Sequence, residues 1–129
     1  MKPLECVDFM LIRNGQILAE RRKLTKPLDP GAISIPGGHM DDGESMEETL
    51  VREMREELNV APVDFHYLCS LLHRSQEFDL IHFFVVESWD GEIENHEAEE
   101  LLWIDLDAPE MFDLSVDRVA VSEYFRLHR

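Results

Sequence analysis

Two periodicities of hydrophobic residues divide the chain into predicted strands and helices. Six mostly apolar runs have the length and flanking turn residues of β-strands: residues 4–13, 16–22, 32–35, 65–73, 78–88 and 101–105. The first two runs are joined by Asn14-Gly15, the dipeptide most typical of a tight hairpin turn. Two other segments repeat apolar residues every three or four positions, which predicts helices over residues 46–58 and 115–127.

The order of these elements predicts an α/β fold. Three strands precede the first helix and three more separate it from the second, an arrangement typical of a mixed β-sheet between helices. With 129 residues, the chain is long enough for one domain with a hydrophobic core and too short for two. We therefore expect a single domain over residues 1–129.

The first predicted helix carries three carboxylates on one stripe. Ser45 and Glu48 have the spacing of a capping box, so the helix should begin directly after Ser45. At about 100° per residue, Glu53, Glu56 and Glu57 share one side of the helix, next to an apolar face. Such a stripe can be a solvated acidic surface. It can also bind Mg²⁺, which prefers carboxylate oxygens and would offset the repulsion between the three charges.

Fixed spacings surround this acidic stripe. Gly38 is followed after five residues by Glu44, and after seven more by the run REMREELNV over residues 52–60. This pattern resembles the signature of the Nudix hydrolase family at every defining position except one, where the family has glycine and this chain has Asn59. Asparagine is the residue other than glycine that best tolerates the left-handed conformation at a helix end. We therefore expect the backbone role of that position to be retained.

The resemblance implies a fold, a reaction and a cofactor. The Nudix fold is an α/β/α sandwich, and Nudix enzymes hydrolyse a nucleoside diphosphate linked to a further group X with the help of Mg²⁺ or Mn²⁺. The roles it implies for individual residues are metal ligation by Glu53, Glu56, Glu57 and the Gly38 carbonyl, orientation of the glutamates by Arg52, and support of Arg52 by Glu44.

The attacking water needs a base, and the sequence leaves two sources open. One is a carboxylate of the helix itself. The other is a glutamate from the acidic loop GEIENHEAEE over residues 91–100, because MutT-like Nudix enzymes place a glutamate from this loop beside the metal. Glu97 has the spacing that the resemblance suggests, and Glu94, Glu99 and Glu100 are the alternatives.

Two strand ends are candidates for substrate contact. Arg21 and Arg22 belong to a basic cluster just before a loop rich in Pro and Gly. They form either a charged strand end or a phosphate contact, since the corresponding strand end borders the cleft in Nudix enzymes. Phe78 is a candidate to line a base pocket, whereas Asp8 is expected to face solvent or to make a structural hydrogen bond.

Cysteine and histidine show no spacing typical of a metal site. Cys6 and Cys69 lie in apolar, strand-like segments, so we expect buried, reduced thiols. His39 is expected to be a solvent-side loop residue rather than a ligand.

The charge of the chain limits its partners. With 28 acidic and 12 basic residues the formal net charge is −16, which argues against binding of duplex nucleic acid through a basic face. A nucleotide would also be repelled unless bound cations reverse the local sign. No run approaches the roughly 18 apolar residues of a membrane span, and no secretory leader is evident, so we expect a cytoplasmic protein.

The predicted activity is hydrolysis of nucleoside triphosphates to monophosphate and pyrophosphate, including oxidised nucleotides, because small MutT-like proteins resemble this chain most. The family's readers of oxidised guanine commonly use an asparagine near the start of the last helix, where this chain has Ser115-Val116-Asp117. Strict 8-oxo-dGTP specificity is therefore not expected. ADP-ribose, dinucleoside polyphosphates and nucleotide sugars are alternative substrates, and a non-catalytic nucleotide-binding module is a further alternative. Nudix proteins are often dimers, so a homodimer is compatible with the sequence.

Overall fold

Each predicted strand and helix is present in the computed structural model, which describes residues 2–128. In chain order these residues form β1 (Leu4–Arg13), β2 (Gln16–Arg21), β3 (Ile33–Ser34), β4 (Gly37–His39), α1 (Met46–Leu58), β5 (Ala61–Arg74), β6 (Phe78–Asp90), β7 (Glu100–Asp105), a 3₁₀ helix (Pro109–Met111) and α2 (Ser115–His128).

One strand and several boundaries differ from the sequence-based prediction. The glycine pair at positions 37 and 38 is outside every predicted strand, but it lies in β4, which pairs antiparallel with β1. β5 begins at Ala61 and β6 extends to Asp90. Irregularities in their pairing, between Pro62 and Phe65 and again before Cys69, interrupt the side-chain alternation from which strand ends are predicted.

β1 lies at the centre of a mixed sheet. It pairs antiparallel with β2 and β4, and parallel with β6 from Leu4 opposite Asp79 to Leu11 opposite Val86. The strand order is β3-β2-β1-β6-β5, with β7 added beside β2. The parallel pair requires a long crossover, which α1 and β5 provide.

Both faces of the sheet are covered, as the predicted α/β/α sandwich requires. Successive side chains of β1 point to opposite faces. Those on the α1 side are Val7, Phe9 and Leu11, and those on the α2 side include Cys6, Met10 and Ile12. Leu50, Met54 and Leu58 of α1 close the first core, and Val116, Ala120 and Val121 of α2 close the second. Burial of apolar surface in these two layers stabilises the fold by about 25 cal/mol for each Å² removed from water.

The ends of α1 follow the prediction closely. The Ser45 hydroxyl accepts a hydrogen bond from the Glu48 N–H at 3.1 Å, and the Glu48 carboxylate accepts one from the Ser45 N–H at 2.9 Å. Asn59 adopts the left-handed conformation with φ 56°, and its N–H donates to the Arg55 carbonyl. Asparagine therefore keeps the backbone conformation of the glycine that it replaces in the family signature.

Cys6 and Cys69 are free thiols. Cys6 is buried, and this burial raises the pKa of its thiol. Cys69 is only partly buried. Within residues 2–128, no helix has both the length and the apolar character needed to cross a membrane.

A buried carboxyl group joins α2 to the sheet. Asp117 is 1% exposed, and its Oδ2 accepts a hydrogen bond from the Ile35 N–H at 3.1 Å, whereas its Oδ1 has no hydrogen-bond partner. Burial raises the pKa of Asp117 to about 8, against the opposing effect of the Ile35 N–H. Asp117 therefore holds its proton in the folded protein at neutral pH.

Asp117→Asn should change how stability depends on pH. A carboxyl group whose pKa is higher in the folded than in the unfolded protein binds more protons in the folded state. The free energy of unfolding therefore falls as pH rises from about 4 to about 8. The neutral amide lacks this titration. In urea unfolding, we expect the free energy of unfolding of the variant, relative to that of wild type, to increase by up to about 1.4 kcal/mol per pH unit in this window. Asp42→Asn, at an exposed loop position, should show no such gain. Parallel pH profiles for wild type and Asp117→Asn would contradict the assignment.

Candidate active site

A cleft of about 430 Å³ opens between the acidic stripe of α1 and the loop that follows β2. Its walls differ in chemistry. One wall carries the helix carboxylates and the glycines of β4, and the other carries Arg22, Lys23 and Lys26. A volume of this size is in the usual range for small-molecule sites, which run from about 300 to 1,000 Å³.

The three predicted carboxylates of α1 all line this cleft. Glu53 lies directly against Gly38, since a Cβ added to that glycine would be 2.3–2.5 Å from the carboxylate atoms. Glu57 is only 5% exposed, and its Oε2 has no hydrogen-bond partner. Burial, the hydrogen bond to Glu53 and nearby acidic charge raise the pKa of Glu57 well above its ordinary value. Glu56 is more exposed and contacts Arg52.

Arg52 connects the acidic stripe to the loop before the helix. Its Nε and Nη2 donate to the two carboxylate oxygens of Glu44 at 2.7 and 2.9 Å. Its Nη1 donates to Glu53 at 2.9 Å and to Glu56 at 3.2 Å, and its Nη2 also donates to the His39 carbonyl at 3.0 Å. These bonds raise the pKa of Arg52, so its charge is permanent.

Glu44 fixes the other side of this arginine. In addition to Arg52, its carboxylate accepts hydrogen bonds from the Thr49 hydroxyl at 2.8 Å and from the Asp41 N–H at 2.9 Å. The bond from Arg52 and that from the Asp41 N–H lower the pKa of Glu44 to about 2. The pairing of Glu44 with Arg52 is the one that the family resemblance implies.

The four glutamates considered in the acidic loop occupy different places. Glu97 lines the cleft, and its carboxylate contacts Lys26 Nζ. Glu94 is exposed and pairs with His96, whereas Glu99 and Glu100 line a separate depression beside Trp89 and Trp103. Position in the cleft therefore separates Glu97 from the alternatives that the sequence left open.

Of the three residues predicted to contact substrate, only Arg22 lines the cleft. Arg22 lines the cleft, where its Nε donates to the Leu28 carbonyl at 2.8 Å. Arg21 instead points to an exposed ion pair with Glu100. The guanidinium carbon of Arg74 lies 4.4 Å from the centre of the Phe78 ring. Phe78 is not among the residues that line the cleft.

Several cleft residues were not found from the sequence. Asp8 was expected to face solvent or to make a structural hydrogen bond, but it lines the cleft beside Gly37. Burial and the charges of Asp117 and Glu20 raise the pKa of Asp8 well above its ordinary value. The signal for Asp8 was a carboxylate inside an otherwise apolar strand. Lys26 gave only a weak signal, as a charge within a loop rich in proline and glycine.

The donor set of this cleft fits a hard divalent cation. Glu53 and Glu57 present oxygen atoms on one side of α1, and the absence of a side chain at Gly38 allows the Glu53 carboxylate to approach the backbone of β4. The buried Glu57 Oε2 lacks a partner, and an unsatisfied buried oxygen of this kind is costly without a cation or donor.

Comparison with known proteins identifies the family to which the chain belongs. A model of the NUDIX domain matches residues 4–124. The chain belongs to the Nudix family. Nudix enzymes are hydrolases that act on acid anhydrides and depend on divalent metals, so the chain is a Nudix pyrophosphohydrolase.

Several Nudix relatives cover most of this chain. The CTP pyrophosphohydrolase of Escherichia coli is 28% identical over 97% of this chain and 93% of its own length. The 8-oxo-dGTP diphosphatase of the same organism is 29% identical over 82% of this chain and 83% of its own length. The crystal structure of the MutT NUDIX hydrolase from Burkholderia pseudomallei superposes with a TM-score of 0.82, at 26% identity, over 95% of this chain and 98% of that one.

The two glycines of β4 should respond differently to an added methyl group. In Gly38→Ala the new Cβ meets the flexible end of Glu53 at 2.3–2.5 Å, so the carboxylate should move away with little loss of stability. In Gly37→Ala the Cβ meets the Val7 carbonyl at 2.4 Å and the Asp8 Cα at 2.7 Å, which are backbone atoms. We expect about 1–3 kcal/mol of destabilisation there, measured by urea unfolding.

The activity of Gly38→Ala should fall although the protein stays folded. We expect Mg²⁺-dependent hydrolysis to decrease by at least about tenfold, because the family resemblance implies that Glu53 is a metal ligand, and its displacement should then cost no less than loss of an outer-shell contact. Equal destabilisation of the two variants, or full activity of Gly38→Ala, would contradict the close approach of Glu53 to β4.

Proposed function

We propose that this Nudix protein is a nucleoside triphosphate pyrophosphohydrolase, which releases a nucleoside monophosphate and pyrophosphate. The observation that carries this proposal is the buried carboxyl of Glu57, whose Oε2 has no hydrogen-bond partner, beside Glu53 in the lining of a cleft of about 430 Å³. The length over which the CTP pyrophosphohydrolase of E. coli aligns supports the triphosphate as the class of substrate.

In this proposal the acidic wall holds the cofactor. Glu53, Glu56 and Glu57, together with the Gly38 carbonyl, would bind Mg²⁺ or Mn²⁺. The bound cation supplies charge neutralisation for the phosphate oxygens and acidifies water. Arg52 acts as a positioning residue, because its hydrogen bonds to Glu53 and Glu56 set the direction of both carboxylates.

The opposite wall orients the substrate in this proposal. Arg22, Lys23 and Lys26 form the positive side of the cleft, where a triphosphate chain gains charge-assisted hydrogen bonds. Glu97 would take the proton of the attacking water. Its contact with Lys26 holds its carboxylate at the cleft, opposite the helix carboxylates.

The rest of the cleft suits a base with an exocyclic amino group. Apolar side chains of Leu28, Ile81 and Leu114 alternate there with the carboxyl groups of Asp8 and Glu20. Burial raises the pKa of both carboxyls, and a carboxylate oxygen accepts a hydrogen bond from an exocyclic amino group. Cytosine presents such an amino group, whereas uracil presents a carbonyl oxygen at the same ring position.

A nucleotide panel with Mg²⁺ should show this preference. We expect pyrophosphate, not phosphate, to be released from CTP or dCTP, and we expect UTP to be hydrolysed at least about tenfold more slowly because its ring edge lacks the amino donor. Pyrophosphate and phosphate are measured separately, with ADP-ribose and a dinucleoside polyphosphate in parallel. Turnover of ADP-ribose without pyrophosphate release from any triphosphate would replace this proposal, and tight binding without turnover would indicate a nucleotide-binding module.

Glu57→Gln should abolish turnover without unfolding the protein. The amide removes a charged ligand, so we expect a loss of more than about a hundredfold, since even outer-shell changes in metal sites cost about 10–100-fold. Stability should be retained, because the amide N–H can replace the hydrogen bond to Glu53 and Oε2 has no hydrogen bond to lose. Glu47→Gln, at an exposed position of the same helix, is the matched control and should keep full activity. Near-normal turnover in Glu57→Gln would refute the ligand assignment.

A further inference from the structure

Four side chains of metal-binding type meet at one point of the structure. They are Cys6, His39, Glu77 and Asp79, and their possible ligand atoms all lie within 4.8 Å of one another. Cys6, His39 and Asp79 also line the cleft, but none of the four is a fixed position of the Nudix signature. This group, the Cys6–Asp79 cluster, combines a sulfur, a ring nitrogen and carboxylate oxygens.

The sheet places these residues together although they are distant in sequence. Cys6 of β1 is directly opposite His39 of β4, and on the other side of β1 Leu4 is opposite Asp79 of β6. Glu77 lies in the turn that leads into β6. Three hydrogen-bonded strands therefore hold three of the four side chains at fixed spacing, and a site on strands is more rigid than one on loops.

One oxygen of the cluster is buried without a partner. Asp79 is 7% exposed, and its Oδ1 has no hydrogen-bond partner. This oxygen points into the cluster, 3.8 Å from His39 Nε2. His39 Nε2 is already in contact with the Glu77 carboxylate. A carboxylate oxygen left unsatisfied in this way is unfavourable, and a bound cation would offset that cost.

The ligand atoms of the cluster indicate which class of cation it would bind. A structural hydrogen-bond network would explain the pair of His39 and Glu77, but it leaves Asp79 Oδ1 unsatisfied. Zn²⁺ takes four ligands drawn from Cys, His and carboxylates at about 2.0–2.3 Å, whereas Mg²⁺ prefers oxygen alone. Four ligands at those bond lengths lie roughly 3.3–3.8 Å apart in a tetrahedron. His39 and Glu77 are partly exposed and can make the small movement that closes the set.

We propose that Cys6, His39, Glu77 and Asp79 bind a Zn²⁺ ion at a second metal site, distinct from the one assigned to α1. This site does not depend on the proposed hydrolase reaction. His39 follows Gly38 in β4, so the two sites are neighbours that use different side chains. The ring of His39, expected from the sequence to face solvent, is one of the ligands, and the bound metal would displace the proton of the Cys6 thiol.

Zinc titration of the chelator-treated protein in saturating Mg²⁺ tests the proposal. We expect one Zn²⁺ to bind in competition with a chromophoric chelator, and Co²⁺ in its place to give the near-ultraviolet absorption of a cobalt–thiolate bond. His39→Gln and Cys6→Ser should each weaken Zn²⁺ binding by at least about tenfold. Cys6→Ser should also remove the cobalt–thiolate absorption.

Matched variants separate this site from other cysteines, surface histidines and the α1 stripe. Cys69→Ser, His96→Gln and Glu57→Gln should retain Zn²⁺ affinity and the cobalt–thiolate absorption. Because Cys6 is buried, its variant is checked by thermal unfolding, whereas the side chain of His39 is 46% exposed and its replacement leaves the core intact. Absence of cobalt–thiolate absorption in wild type would overturn the proposal. Zinc affinity lost only in Glu57→Gln, or unchanged in His39→Gln, would also overturn it.

Discussion

The hydrogen bonds of Arg52 are the interaction on which the geometry of the cleft depends. This one guanidinium donates to the loop through Glu44 and the His39 carbonyl, and to the helix through Glu53 and Glu56. Without it, neighbouring carboxylates on one side of α1 would repel one another and β4 would lose its tie to the helix. Because the guanidinium is planar and its donors are fixed in direction, it orients the carboxylates as well as neutralising them.

The distribution of acidity also shapes the cleft. The chain has a net charge of −16, yet burial raises the pKa of Asp8, Glu20 and Glu57, which line the cleft, and of Asp117 behind it. Burial thus disfavours the charged form of these carboxyls, and a cation bound beside Glu57 would offset the negative charge that remains. Together with the basic wall after β2, this resolves the apparent conflict between an acidic protein and a polyanionic ligand.

Local features were readable from the sequence, and contacts between distant segments were not. The capping box, the left-handed Asn59 and the hairpin turn between β1 and β2 depend on neighbouring residues, so pattern and spacing predict them. β4 was missed because a pair of glycines carries no hydrophobic signal and becomes a strand only by pairing with β1. The Lys26–Glu97 contact and the Cys6–Asp79 cluster arise from the same long-range pairing.

The two arginines at the end of β2 show the same limit at the scale of one residue. Adjacent side chains of an extended segment point to opposite sides. Arg22 thus reaches the cleft, while Arg21 pairs with Glu100 outside it. The sequence identified the basic cluster, but it did not show which of the two side chains faces the cleft. The pairing of β2 with β3 and β7 sets that orientation.

The central position of β1 has a consequence for how the chain acquires its structure during synthesis. Its hairpin with β2 can form as soon as both strands have emerged from the ribosome, but its parallel neighbour β6 is translated much later, after α1 and β5. Until then one apolar edge of β1 stays unpaired, a state that favours slow folding and invites association with other nascent chains. β1 is thus exposed along one edge until β6 has also been synthesised.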